Sequence, residues 1–147
     1  MLLPRAEADQ RDARSRFYLA RSHANLAAIE DDLEELRTVL VSIHVSLRQA
    51  IEAVTVDNIL QTLRITHASH LAATGQAPHM AVAGLNPHAG EGGLMGCEEL
   101  DIIIPAIQQA QAEGLHATGP YPPDTVFMRA RAAHGQPGAF DVVVAMY

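Results

Sequence analysis

Three short apolar runs rich in β-branched residues, "RTVLVSI" (37–43), "HMAVAGL" (79–85) and "FDVVVAMY" (140–147), are separated by stretches whose apolar residues recur at helical spacing. No other feature restricts the fold as strongly. Unbroken apolar runs suit strands covered on both faces, and strands that take turns with helices build a parallel sheet. A first helix is predicted from about Phe17 to Leu36, with Leu19, Leu26, Ile29, Leu33 and Leu36 in phase. A second covers 56–75, where Ile59, Leu60, Leu63, His67, His70 and Leu71 share a face and Gly75 can end the helix. A third covers 97–114, with Glu98 and Glu99 in its first turn, Pro105 as a kink and Gly114 as a cap. "GLHATGPYPPDT" reads as a strand or loop entering a proline turn, and "VFMRARAAHG" (126–135) as a last helix. The predicted class is α/β, a mostly parallel sheet flanked by helices.

A chain of 147 residues is the size of one domain. Ten Lys and Arg against 17 Asp and Glu give 10 − 17 = −7, and the arginines are scattered, which speaks against nucleic acid or an anionic membrane as partner. No apolar run approaches the roughly 18 residues of a membrane span, and the opening "MLLPRAEADQRDARSR" turns charged too early for a signal peptide. The expectation is a soluble, cytoplasmic protein. Cys97 is the only cysteine, so an internal disulfide or a cysteine-rich zinc site is excluded, and any metal site must rest on imidazole and carboxylate.

His44 and His88 follow two predicted strands directly, at the edge where an α/β sheet collects its ligand groups. Two imidazoles with open positions suit a divalent ion such as Zn, Mn or Co, although single histidines in such places also close strands and stiffen turns. His88 lies in "GLNPHAGEGG" (84–93), where four glycines in ten residues forgo packing, so the segment is expected to stay out of the core and to let a ligand approach its backbone. Glu91 is a candidate to orient an imidazole, or else a solvated loop acid. Asn86 is a further candidate neighbour. Asp124 follows a stiff proline turn and reads first as the cap of the next helix, with Thr125 as the alternative. His67 and His70 are three apart on a helix without acidic company and read as partly buried or surface residues.

"LRTVLVSIHVSLRQAIEAVT", "MAVAGLNPHAGEGGLMGCEELDIIIPAI", "GPYPPDTVFMRA" and "FDVVVAMY", in this order, closely resemble the central part of the 4-hydroxythreonine-4-phosphate dehydrogenase family. "LVSIHVSLR" and "GPYPPDTVFMRAR" look most like the branch acting on related four-carbon sugar-acid phosphates. The resemblance implies an NAD-dependent oxidation of a secondary alcohol on a phosphorylated four-carbon hydroxy acid, followed in the vitamin B6 branch by loss of carbon dioxide. It implies a fold like that of isocitrate and isopropylmalate dehydrogenases, a homodimer with the active site at the interface, and a divalent metal (Zn, Mg, Mn or Co) held by three histidines. His44 and His88 match two of those ligands, and Asp124 matches an acidic residue near the site. Metal bound to the substrate hydroxyl would lower its pKa and stabilise the charge that develops.

The departures concern the ends. The family's third histidine lies in a His-Asp-Gln-Gly segment past "AMY", followed later by Lys, Asn and Arg positions, and its Gly-His-Thr-Glu segment is replaced here by "DARSRF". Residues 1–35 are therefore read as an N-terminal arm and helix that match poorly, and 36–147 as the central α/β segment, truncated at its C-terminus. The expectation is an incomplete chain that is inactive alone. The alternative is a non-enzymatic α/β remnant that self-associates through an unpaired sheet edge.

Overall fold

In the computed structural model, which describes residues 37–131 and 138–147, the β-branched runs pair as their sequences imply. β1 (Arg37–Leu40), β2 (Met80–Ala83), β3 (Ala117–Tyr121) and β4 (Val142–Ala145) form one sheet in the order β1-β4-β2-β3. Every pairing is parallel. β4, the last strand in the sequence, lies inside the sheet, with Val142 opposite Arg37 of β1 on one side and Met80 of β2 on the other. Both β2 and β4 are buried at every residue, which is why "MAVA" and "VVVA" carry no polar alternation. The expected strand 37–43 is regular only to Leu40, yet Val41 N–H still donates to Ala145 O (2.9 Å) and Ser42 N–H to Met146 O (3.2 Å).

The helices follow their local signals. α1 (Leu47–Ala53), absent from the sequence reading, opens on a capping box: Gln49 N–H donates to Ser46 Oγ and Ser46 N–H to Gln49 Oε1. α2 (Val56–Thr74) begins where Thr55 Oγ1 accepts from Asn58 N–H and ends at Gly75, whose φ of 74° is the left-handed geometry glycine permits. Its buried face is Ile59, Leu60, Thr62, Leu63 and Thr66, and it stops there: Leu71, expected on that face, is 42% exposed.

The third predicted helix is two pieces, a π-helical turn (Glu99–Ile103) followed by α3 (Ile104–Ala112). Pro105 sits in the first turn of α3 instead of kinking a continuous helix. A proline ring clashes with the carbonyl four residues back, and the wider turn, in which Ile104 N–H donates to Glu99 O, relieves that conflict. "GLHATGPYPPDT" resolves into β3, and α4 (Val126–Ala130) is shorter than the predicted 126–135 because Arg131 is already extended. The predicted helix 17–36 and residues 132–135 lie outside the described residues.

Arg37 Nη1 lies 3.2 Å from Nδ1 of His70, tying β1 to α2. Desolvation, then the Arg37 charge and His67, push the His70 pKa below its ordinary 6.5, against a smaller opposing effect of Asp141. Since the folded state then binds the proton less readily than the unfolded one, stability is retained above pH 6.5 and falls as the pH drops below it. His70→Gln, which can still accept from Arg37 but cannot titrate, is expected to flatten the fall in urea midpoint between neutral and mildly acidic pH. An unchanged slope in that variant would remove His70 from the account.

Candidate functional site

Because the strands are parallel, all their C-terminal ends lie on one edge, and the loops leaving that edge carry the candidate residues. His44 follows β1, His88 follows β2 and Asp124 follows β3. With β4 between them, the ends of β1 and β2 stand about 10 Å apart, two strand spacings. The shared edge expected for His44 and His88 is present.

Both histidines are exposed and both hold left-handed backbone, at φ 57° for His44 and 53° for His88. Among the described residues only four non-glycine residues have positive φ: His44, His88, Ala89 and Glu91. The last three belong to one turn, Pro87–Gly93, in which His88, Ala89, Gly90, Glu91 and Gly92 have φ of 53, 54, 75, 43 and 67°. Left-handed backbone costs a non-glycine residue roughly 1–2 kcal/mol, so something must hold this turn. Strain of this kind gathers at functional sites.

Packed against this turn is Glu99, expected from the sequence in the first turn of a helix. It is 2% exposed. Its Oε1 accepts from Leu85 N–H (2.8 Å) and Asn86 N–H (2.7 Å), and its Oε2 accepts from Asn86 Nδ2 (2.9 Å). A Cβ on Gly90 would stand 2.7 Å from Oε2, and one on Gly84 would stand 3.0 Å from Oε1. The loop's glycines are thus needed for a close approach, as expected, but the group that approaches is the chain's own carboxylate; Gly84 and Gly90 are buried against it. Its position was visible in the spacing, since Glu99, Ile103, Ala106, Ile107 and Ala110 form a single buried stripe.

Asn86 is engaged on the same side: Nδ2 also donates to Glu98 Oε2 (2.7 Å), and this bond is the main cause that holds the Glu98 carboxyl below the usual carboxylate range. Glu91 is exposed on the left-handed turn and has no hydrogen bond to an imidazole among the described residues. Asp124 is exposed and does not cap α4. Thr125 takes the cap position, without a side-chain capping bond, and Thr125 N–H and Val126 N–H both donate to Pro122 O at 3.1 Å. His67 and His70 are half-buried on α2, as expected.

Among the described residues no group of three or more His, Cys, Asp or Glu side chains is gathered so as to hold a metal ion. The donor set offers two exposed imidazoles on one edge. That falls short of the three protein ligands of a catalytic zinc centre. Among the described residues no helix is long and apolar enough to cross a membrane.

Residues 17–147 match the family model described as "Pyridoxal phosphate biosynthetic protein PdxA", a match that begins upstream of Leu36. A 4-hydroxythreonine-4-phosphate dehydrogenase of Beijerinckia indica subsp. indica is 55% identical over 114 residues, which cover 78% of this chain and 32% of that protein. The crystal structure of 4-hydroxythreonine-4-phosphate dehydrogenase from Klebsiella pneumoniae superposes with a TM-score of 0.72 at 40% identity, covering 79% of this chain and 34% of that one. A terephthalate 1,2-cis-dihydrodiol dehydrogenase from Burkholderia xenovorans LB400 superposes with a TM-score of 0.64 at 29% identity, over 76% of this chain and 34% of that one. The chain spans about a third of the length of the curated relatives it matches.

Proposed function

The chain belongs to the PdxA family of pyridoxal phosphate biosynthetic proteins, and from that premise we propose that it forms the central segment of a dehydrogenase for 4-phosphohydroxy-L-threonine or a related 4-phosphorylated four-carbon hydroxy acid. Its sheet is part of an isocitrate/isopropylmalate dehydrogenase-like fold. In this reading the oxidation is NAD-dependent and needs a divalent metal, two of whose ligands are His44 and His88. Asp124, Glu91 and Asn86 stand around them, and the working protein is a homodimer in the cytoplasm. The single observation that carries the assignment is the left-handed backbone at both histidines, on the same edge of the sheet.

The choice of substrate rests on the relatives. The Burkholderia neighbour is named for a cis-dihydrodiol, so the fold does not by itself select the alcohol, whereas the 55% and 40% identities are to proteins named for the phosphorylated hydroxythreonine. No residue here is assigned to NAD. Two imidazoles do not complete a metal site, so no chemical step is assigned to a metal on this chain. What its residues do is hold two exposed imidazoles on the edge of the sheet where β1 and β2 end.

The test is a chimera: residues 36–147 replace the matching segment of the Beijerinckia indica relative, and NAD reduction is followed with 4-phosphohydroxythreonine and, separately, 4-phosphothreonate. The chimera is expected to turn over one of them, and His44→Ala or His88→Ala within it to lower turnover by more than about 100-fold. A chimera whose activity ignores both substitutions would remove the histidines from the site. The 147-residue chain alone is expected to give no NAD reduction, because among its described residues no three ligating side chains are gathered to hold a metal. Turnover near ~1 per second would overturn that expectation.

A further inference from the structure

We propose that Glu99 is the positioning residue for His88, its carboxylate being the buried core around which the left-handed turn is wound. The assignment rests on the reading of His88 as a ligand only for its functional consequence. The grip is on both sides of the histidine. Upstream, Oε1 fixes the consecutive amides of Leu85 and Asn86 immediately before Pro87. Downstream, Gly90 passes Oε2 so closely that a Cβ there would stand 2.7 Å from it. His88 lies between these two points, with a backbone geometry unfavourable for it in isolation. All the donors to the carboxylate are uncharged amides, so the interaction specifies where the chain runs and leaves the imidazole free at the surface.

Glu99 is buried and bears on the sheet edge only through the segment that carries His88, and partners of this kind affect metal affinity by fixing a ligand's orientation. A residue that merely stabilised the fold would act equally on every part of the sheet. The two roles separate when the loop and the rest of the molecule are read independently.

Two substitutions perturb the contact in different ways. Glu99→Gln keeps the shape but sets an NH2 group against the donating amide of Asn86. Gly90→Ala leaves the carboxylate in place and pushes it away with a new Cβ. Both are expected to speed amide hydrogen exchange at Leu85 and Asn86 at least about tenfold and to remove the left-handed backbone NMR shifts of His88, while amides of β2 and β4 keep their protection. Both should also weaken Zn2+ binding, measured by calorimetry with the metal alone, by about 10–100-fold. Ile107→Val, a core change in α3, should lower the melting temperature without either effect. Should Glu99→Gln fail to fold, Asn86→Ala removes the side-chain donor to Oε2, together with its bond to Glu98, and is expected to speed the Asn86 amide likewise. Wild-type exchange and shifts in the folded variants would overturn the proposal. If His88→Ala leaves Zn2+ binding intact, it is the ligand reading that fails, and the exchange and shift data still decide the role of Glu99.

Discussion

Val143→Asp is expected to abolish folding. Val143 is fully buried in β4, between Thr38 of β1 and Ala81 of β2, so an aspartate there has neighbours on both sides and no route to water. An uncompensated buried charge costs about 3–5 kcal/mol, a large share of the roughly 5–15 kcal/mol that holds a domain together. Because β4 joins β1 to β2, local distortion would part the sheet instead of fraying an edge. Far-UV circular dichroism and proteolysis should show an unfolded, rapidly cleaved chain. Gln108→Asp, on the exposed face of α3, should change stability by less than about 0.5 kcal/mol. A cooperative urea transition in Val143→Asp near that of the wild type would contradict the sheet order.

His88→Ala is expected to abolish the binding of Zn2+ to this chain, and His44→Ala to do the same, while His67→Ala and His70→Ala leave it nearly unchanged. Wild-type binding should itself be weak, since two imidazoles leave water to fill the remaining positions. It should weaken further in acid, because only neutral imidazole is a ligand. Calorimetry on the variants checks the order. Binding that needs the pair on α2 and not His88 would make the left-handed turn a purely structural feature.

The inner strands were legible because a parallel strand covered on both faces has no polar positions, and "VVVA" can be little else. The end of α2 at Gly75 was legible for the same kind of reason, since one residue type tolerates that backbone. α1 was legible too, in the capping pair Ser46 and Gln49, and was passed over. The left-handed turn was not, because Ala89 and Glu91 carry no side-chain preference for positive φ, and Glu99, which binds the amides just before the turn, lies downstream in sequence. Glu99 was hidden by Glu98. Two adjacent acids at a helix start look alike in sequence, and only the buried stripe through Ile103 and Ile107 tells them apart. At Asp124 the general preference for an acidic cap did not decide the helix start: Thr125 stands at the cap, and the Thr125 and Val126 amides go to the Pro122 carbonyl.

The place of β4 also governs how the sheet can assemble. β1 and β2 do not pair directly; β4 joins them, and Ser42 and Met146, which bond across the first pairing, are 104 residues apart in the chain. Closing so long a loop before any reward is collected makes folding slow. On the ribosome, β1 would leave the exit tunnel with an unsatisfied hydrogen-bonding edge and keep it until β4 emerges. A nascent chain arrested before Val142 should therefore bind holdase chaperones more strongly than one arrested once β4 has cleared the exit tunnel, a difference that ribosome pull-down can measure.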